Sequence, residues 1–232
     1  MKYVLMSGSF TRMEIYDEII NFINKNVKGN KMISFIASSF GDYEKTDHFV
    51  NKLLRLFFNK NMYFDDVKII DERMNIDEMI KSIKISNIVF LLGGDTLEQI
   101  NYINKYDLKK VINDKNKIII GMSAGAINMA KRVVLAKDEE DNIPEMSIYD
   151  GLGITTINIE PHCDFKNTKH WKELENASKY TNLIVMNDDC FIVANDDKVK
   201  YYGSFLCLNN GVITYKGQEC TLEHFLKEID YD

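Results

Sequence analysis

The strongest constraint on the fold is a repeated pairing of short apolar runs with helix-patterned stretches through the first half of the chain. "YVLM" (3–6) precedes an amphipathic segment around Met13–Val27, and "MISFIAS" (32–38) precedes a long helical pattern at Tyr43–Phe58. "VKII" (67–70) precedes a helix around Ile76–Ile83, "NIVFLLGG" (87–94) precedes Leu97–Tyr106, and "KIIIG" (117–121) precedes a small helix starting near Ser123. Runs that are apolar throughout are buried on both faces, which strands of a parallel sheet satisfy when helices cover the sheet on both sides. The expected class is therefore α/β, with a mostly parallel sheet, flanking helices on both faces and right-handed crossovers.

The rhythm changes after about residue 131. "KDEEDNIPE" (137–145) reads as a charged surface loop, and "GLGITTINIEPHCDF" (151–165) as a strand ending at Pro161. A helix around Thr168–Lys179 follows, then short strands "NLIVM", "CFIVAN", "KVKYYG", "FLCLNN" and "GVITYK", and a closing helix around Leu222–Ile229. Asn-Asp, Asn-Asn-Gly and Lys-Gly at their turns suit antiparallel hairpins. With 232 residues, 45% of them apolar, the chain can bury a substantial core. No repeat or linker interrupts it, so residues 1–232 read as one domain.

Charge and cysteine usage exclude several function classes. A net charge of −6 argues against a nucleic-acid binder that works by bulk charge. No segment approaches the roughly 18 apolar residues of a membrane span, and "MKYVLMSGSF" is too short for a signal core. Cys163, Cys190, Cys207 and Cys220 are widely spaced and form no metal-ligand motif, so they read as reduced thiols. These features describe a soluble cytoplasmic protein.

Chemistry concentrates at Gly121-Met122-Ser123-Ala124-Gly125. A sharp strand-to-helix turn projects its central side chain outward, and glycines two residues away allow strand and helix to approach closely. The Ala124 amide, at the helix start, can donate to a developing oxyanion. The same pattern also suits a helix-capping serine. Gly93-Gly94-Asp95-Thr96 forms a second strand-to-helix turn, able to supply another oxyanion donor or to cradle an anion. It lacks the spacing of a dinucleotide or P-loop site. Of His48, His162, His170 and His224, His162 follows Pro161 at a strand end, where ligands gather in open sheets. The other three lie in helix-like, polar surroundings.

"GGDT", "GMSAGA" and "GLGI…IEPHCDF", in this order, resemble the S51 family of serine peptidases, which contains aspartyl dipeptidase (peptidase E) and the more distant cyanophycinases. The resemblance implies a fold related to class I glutamine amidotransferases. It implies Ser123 as nucleophile, His162 as base, and the amides of Gly94 and Ala124 as oxyanion hole. For the third member it points to Asp138, with Glu139, Glu140 and Asp141 alongside, although some members work as Ser–His dyads. The implied activity is hydrolysis of small peptides after an N-terminal aspartate, a chemistry that needs neither metal nor cofactor. Gly93, Asp95, Thr96 and Arg132 are expected to border the substrate, and Arg12 is a second basic candidate. Two alternatives stay open: an α/β-hydrolase esterase using His224, and a non-catalytic binding module. The expected partner is a small peptide, with no nucleic acid or membrane, and a homo-oligomer is compatible with the sequence.

Overall fold

The structure is a computed structural model, and it describes residues 1–8, 14–139, 143–165, 170–196 and 198–221. The first half runs β1 (Lys2–Met6), α1 (Glu14–Asn26), β2 (Met32–Ile36), α2 (Tyr43–Asn59), β3 (Asp66–Ile70), α3 (Ile76–Ile85), β4 (Ile88–Leu91) and α4 (Thr96–Lys105). It continues with α5 (Lys109–Ile112), β5 (Ile118–Met122) and α6 (Ala124–Ile127). The second half holds β6 (Arg132–Leu135), β7 (Ser147–Asp150), β8 (Asn158–Glu160), α7 (Trp171–Ala177), β9 (Leu183–Met186), β10 (Phe191–Asn195), β11 (Lys198–Asn209) and β12 (Val212–Thr221). The helix expected at Leu222–Ile229 lies outside the described residues, as do Arg12 and His224.

One sheet carries the order β3-β2-β4-β5-β1-β10-β11-β9-β8, with β12 added beside β11. β3, β2, β4, β5 and β1 pair in parallel, as the first-half rhythm requires. Alternate side chains of each strand feed opposite cores. Val4, Met6, Phe35, Phe90 and Ile120 pack against Ile19 and Ile23 of α1 and Leu53 and Phe57 of α2. Leu5, Ile36, Leu91 and Ile119 pack against Met79 and Ile83 of α3 and Ile100 and Ile103 of α4. Each fully buried Ile or Phe side chain contributes about 1.5–3 kcal/mol. Burial on both faces therefore pins the register of the parallel half.

Two departures from the sequence reading shape the second half. "KVKYYG" and "FLCLNN" form one strand, β11, instead of two. Its first part pairs with β10 and its second part with β9, and the irregularity falls between Tyr201 and Ser204. Gly203 sits there at φ 83, a conformation that glycine adopts without Cβ strain. Because β10 pairs with Lys198–Tyr202 and β9 with Phe205–Leu208, the carboxyl end of β9 meets the start of β10, which lies beside the end of β1. The second departure is a small sheet of β6 and β7, two stretches that the sequence reading leaves unassigned on either side of the 137–145 loop. These strands have four residues each, and β7 is only partly buried, so their apolar periodicity is weak.

Candidate active site

Ser123 ends β5 at φ 50, ψ −117, the strained turn expected between strand and helix. Backbone strain of this kind costs about 1–3 kcal/mol and persists where the surroundings enforce it. The enforcement is visible here: the Ser123 amide donates to Met6 O at 2.9 Å, and the amides of Ala126 and Ile127 donate back to Ser123 O. A Cβ on Gly121 would lie 2.7 Å from the Ala126 backbone, and one on Gly125 would strike the Leu91 backbone. Both glycines are thus fixed by close approach. Ser123 occupies the cap position of α6, yet its hydroxyl makes no cap hydrogen bond.

That hydroxyl lies 2.9 Å from His162 Nε2. On the other side of the ring, His162 Nδ1 lies 2.5 Å from Asp188 Oδ1. An ionised Asp188 accepts the Nδ1 proton, which leaves Nε2 bare to accept from Ser123. Asp188 follows β9 by two residues, and His162 follows β8 by two, so adjacent parallel strands deliver the pair. His162 also sits at positive φ, 58°.

Buried Ser7 ties these strand ends together. Its amide donates to Cys190 O at 3.0 Å, and its hydroxyl accepts from the His162 amide at 2.9 Å and donates to Met186 O at 3.4 Å. Gly8 backs the imidazole and carboxylate so closely that a Cβ there would lie 2.8 Å from Asp188 Oδ1 and 3.0 Å from His162 Cε1.

Asp138, the expected third member, is elsewhere. It follows β6 of the small sheet, and its Oδ2 lies 3.8 Å from His170 Nε2. Its neighbour Glu139 pairs with Lys137, while Glu140 and Asp141 lie outside the described residues. Asp188 was missed because Asn187-Asp188-Asp189 reads as an ordinary turn. The available signal was its place just beyond an apolar strand, the same signal that exposed His162.

A cavity of about 280 Å³ opens beside Ser123 and His162. Gly93 and Gly94 form one wall, Phe49, Leu92 and Met122 give apolar surface, and Lys45 projects from the first turn of α2. A Cβ on Gly93 would lie 3.3 Å from Ser123 Cβ. Gly94 has φ 140, and a Cβ there would strike Ser38. Among the described residues, neither the Gly94 nor the Ala124 amide has a backbone acceptor. Asp95 and Thr96 serve α4 instead of the cavity: Asp95 caps the helix by accepting from the Glu98 amide at 2.7 Å, and Thr96 is buried, its carbonyl accepting from Asn128. Arg132 is exposed at the start of β6 and borders a different depression. Among the described residues, the Lys or Arg side chain that lines the cavity is Lys45. His48 is exposed on α2.

A serine, an imidazole and a carboxylate in hydrogen-bonded sequence, held at the carboxyl edge of an open sheet, define the class as a serine hydrolase. The sequence matches Peptidase family S51 over residues 3–202. The chain therefore belongs to peptidase family S51, and it is a serine peptidase. A peptidase from an acI-B1 Actinobacterium has a similar structure, with a TM-score of 0.69 at 15% identity, over 95% of this chain and 96% of that one. A putative peptidase E protein from Listeria monocytogenes EGD-e gives a TM-score of 0.64 at 17% identity, over 86% of this chain and 96% of that one. Among curated proteins no sequence matches. Among the described residues, no helix is long and apolar enough to cross a membrane.

Proposed function

We propose that the protein is an exopeptidase that cleaves small peptides after an N-terminal aspartate, through a Ser123–His162–Asp188 acyl-enzyme mechanism. The observation that carries this reading is the continuous contact from Asp188 through His162 to Ser123. His162 Nε2 takes the Ser123 proton as the serine oxygen attacks the peptide carbonyl. Asp188 holds the ring in the required tautomer and stabilises the imidazolium. The amides of Gly94 and Ala124 receive the oxyanion, and one such donor is worth roughly 3–4 kcal/mol. His162 then passes its proton to the leaving amine, and water enters by the reverse roles.

The limited cavity volume favours short substrates, and Lys45 offers a cation for a substrate carboxylate. The name of the Listeria neighbour, a putative peptidase E, fits the same reading. The test is hydrolysis of Asp-Leu, Glu-Leu, Ala-Leu, N-blocked Asp-Leu, β-Asp-Arg and p-nitrophenyl acetate by wild type, Ser123→Ala and His162→Ala. Preferential turnover of Asp-Leu, absent from both variants, is the expected result. Cleavage of β-Asp-Arg alone would replace it with a cyanophycinase-type substrate, and turnover of the ester alone would remove the peptidase specificity. Fluorophosphonate labelling of wild type but not Ser123→Ala would still identify the nucleophile.

A further inference from the structure

At the end of β8, three potential ligands converge that the sequence keeps well apart. Asp138 sits on a short bridge to Ile143, Glu160 closes β8, and His170 immediately precedes α7. One nitrogen or oxygen from each lies within 4.8 Å of the other two. His170 Nε2 is 3.5 Å from Glu160 Oε1 and 3.8 Å from Asp138 Oδ2. All three side chains are mostly sheltered, at 21% exposure for His170, 13% for Glu160 and 22% for Asp138. His170 Nε2 itself is shut off from solvent and makes no hydrogen bond.

A sheltered imidazole nitrogen without a well-formed hydrogen bond is costly and calls for a ligand. The separations suit one that is shared. Donors placed about 2.0–2.2 Å from a single zinc-like ion stand roughly 3–4 Å from one another. One imidazole nitrogen and two carboxylates also match the donor preference of divalent first-row metals, and their negative charge complements the cation. An imidazolium gripped by the two carboxylates would instead draw Nε2–H into a charge-assisted hydrogen bond of about 2.7–2.9 Å, shorter than the 3.5 and 3.8 Å contacts seen here.

We propose that Asp138, Glu160 and His170 bind a divalent ion of the zinc class. The ion acts as a clasp and takes no part in the hydrolysis. It joins the turn after β6, the end of β8 and the start of α7, and Glu160 stands two residues before His162. The spacing of the three residues follows no metal-ligand motif, so folding alone assembles the site.

The test is titration of the full-length, chelator-treated protein with cobalt(II), followed by visible absorption. Wild type and His162→Ala should take up one ion each and develop ligand-field bands. Asp138→Asn and His170→Ala should bind about 100-fold more weakly or worse, with circular dichroism confirming that each is folded. Zinc(II) should raise the Tm of wild type but not of Asp138→Asn, a near-isosteric variant that serves even if His170→Ala folds poorly. Absence of cobalt bands in wild type, or bands that survive in Asp138→Asn, would overturn the site. Loss of the bands in His162→Ala alone would move the ion to the catalytic histidine and overturn it equally.

Discussion

The main-chain amide of His162 donates a 2.9 Å hydrogen bond to the side chain of Ser7, which lies 155 residues earlier in the sequence. Ser7 is fully buried, and it holds the backbone of the histidine, not its ring. The imidazole can therefore keep its place between Ser123 and Asp188 although His162 adopts an unfavourable positive φ.

Replacing Ser7 with Ala should act through this anchor. The part-buried His162 amide loses its acceptor, a cost at the lower end of about 1–3 kcal/mol, and the ring loses its aim. A fall in kcat of roughly 10–100-fold is expected, with KM little changed. Steady-state kinetics on Asp-Leu would check this, alongside the rate of fluorophosphonate labelling. A rise in KM at constant kcat would instead assign Ser7 to substrate binding.

Asp188→Asn should lower kcat about 10⁴-fold, because the amide favours the wrong imidazole tautomer. Asp138→Asn lies on a different cluster, and its effect on kcat should be smaller by at least about 100-fold. Parallel kinetics of the two variants decide which carboxylate serves His162.

Gly94→Ala should cut kcat by roughly 10²–10³-fold, the usual effect of losing an oxyanion donor. The new Cβ would lie 2.9 Å from Ser38 Cβ, at a φ that side chains avoid. Adding Ser38→Gly removes the collision but not the backbone strain, so recovery should be partial. Full recovery in the double variant would show that collision alone matters.

Lys45→Met should reduce the preference for Asp-Leu over Ala-Leu, measured as a ratio of kcat/KM, by about tenfold. That is the worth of one charge-assisted hydrogen bond at its lower end. An unchanged ratio would dissociate Lys45 from acidic recognition.

Arg73 governs stability away from the active site. It bridges the fully buried Asp71 carboxylate and the more exposed Asp47. Arg73→Ala strands the Asp71 charge and should cost about 3 kcal/mol in urea denaturation at pH 7. Hydrogen bonds from Arg73, aided by its charge, hold the Asp47 carboxyl below its ordinary range. The folded pKa is thus depressed, so this contribution is fully present above the ordinary carboxylate value and is lost as pH falls through the lowered one. The stability gap between wild type and Arg73→Ala should narrow below about pH 4.

The legible parts of the molecule were the local ones. The isoleucines of β5, their glycine-flanked serine and the strand ending at His162 each lie in one short window, where periodicity and turn chemistry speak directly. Asp188 joins His162 only because β9 lies beside β8, and nothing within its own window distinguishes it from Asp189. Counting along the chain from Ser123 led to Asp138, whereas the path through space leads across two strands. Gly203 was read as a strand boundary, whereas it lies inside β11. The helical pattern of α2 was readable, but which of its side chains meets the cavity depends on how the helix packs.

During synthesis Ser123 would emerge well before the groups that activate it. A ribosome-bound chain that has emerged as far as Leu152 already contains Ser123 but neither His162 nor Asp188. The histidine waits for β8 and the carboxylate for β9, and both must still be drawn to the end of β1 through Ser7. The order of the three residues along the chain thus leaves the nascent serine without its base until β8 and β9 have been made and docked.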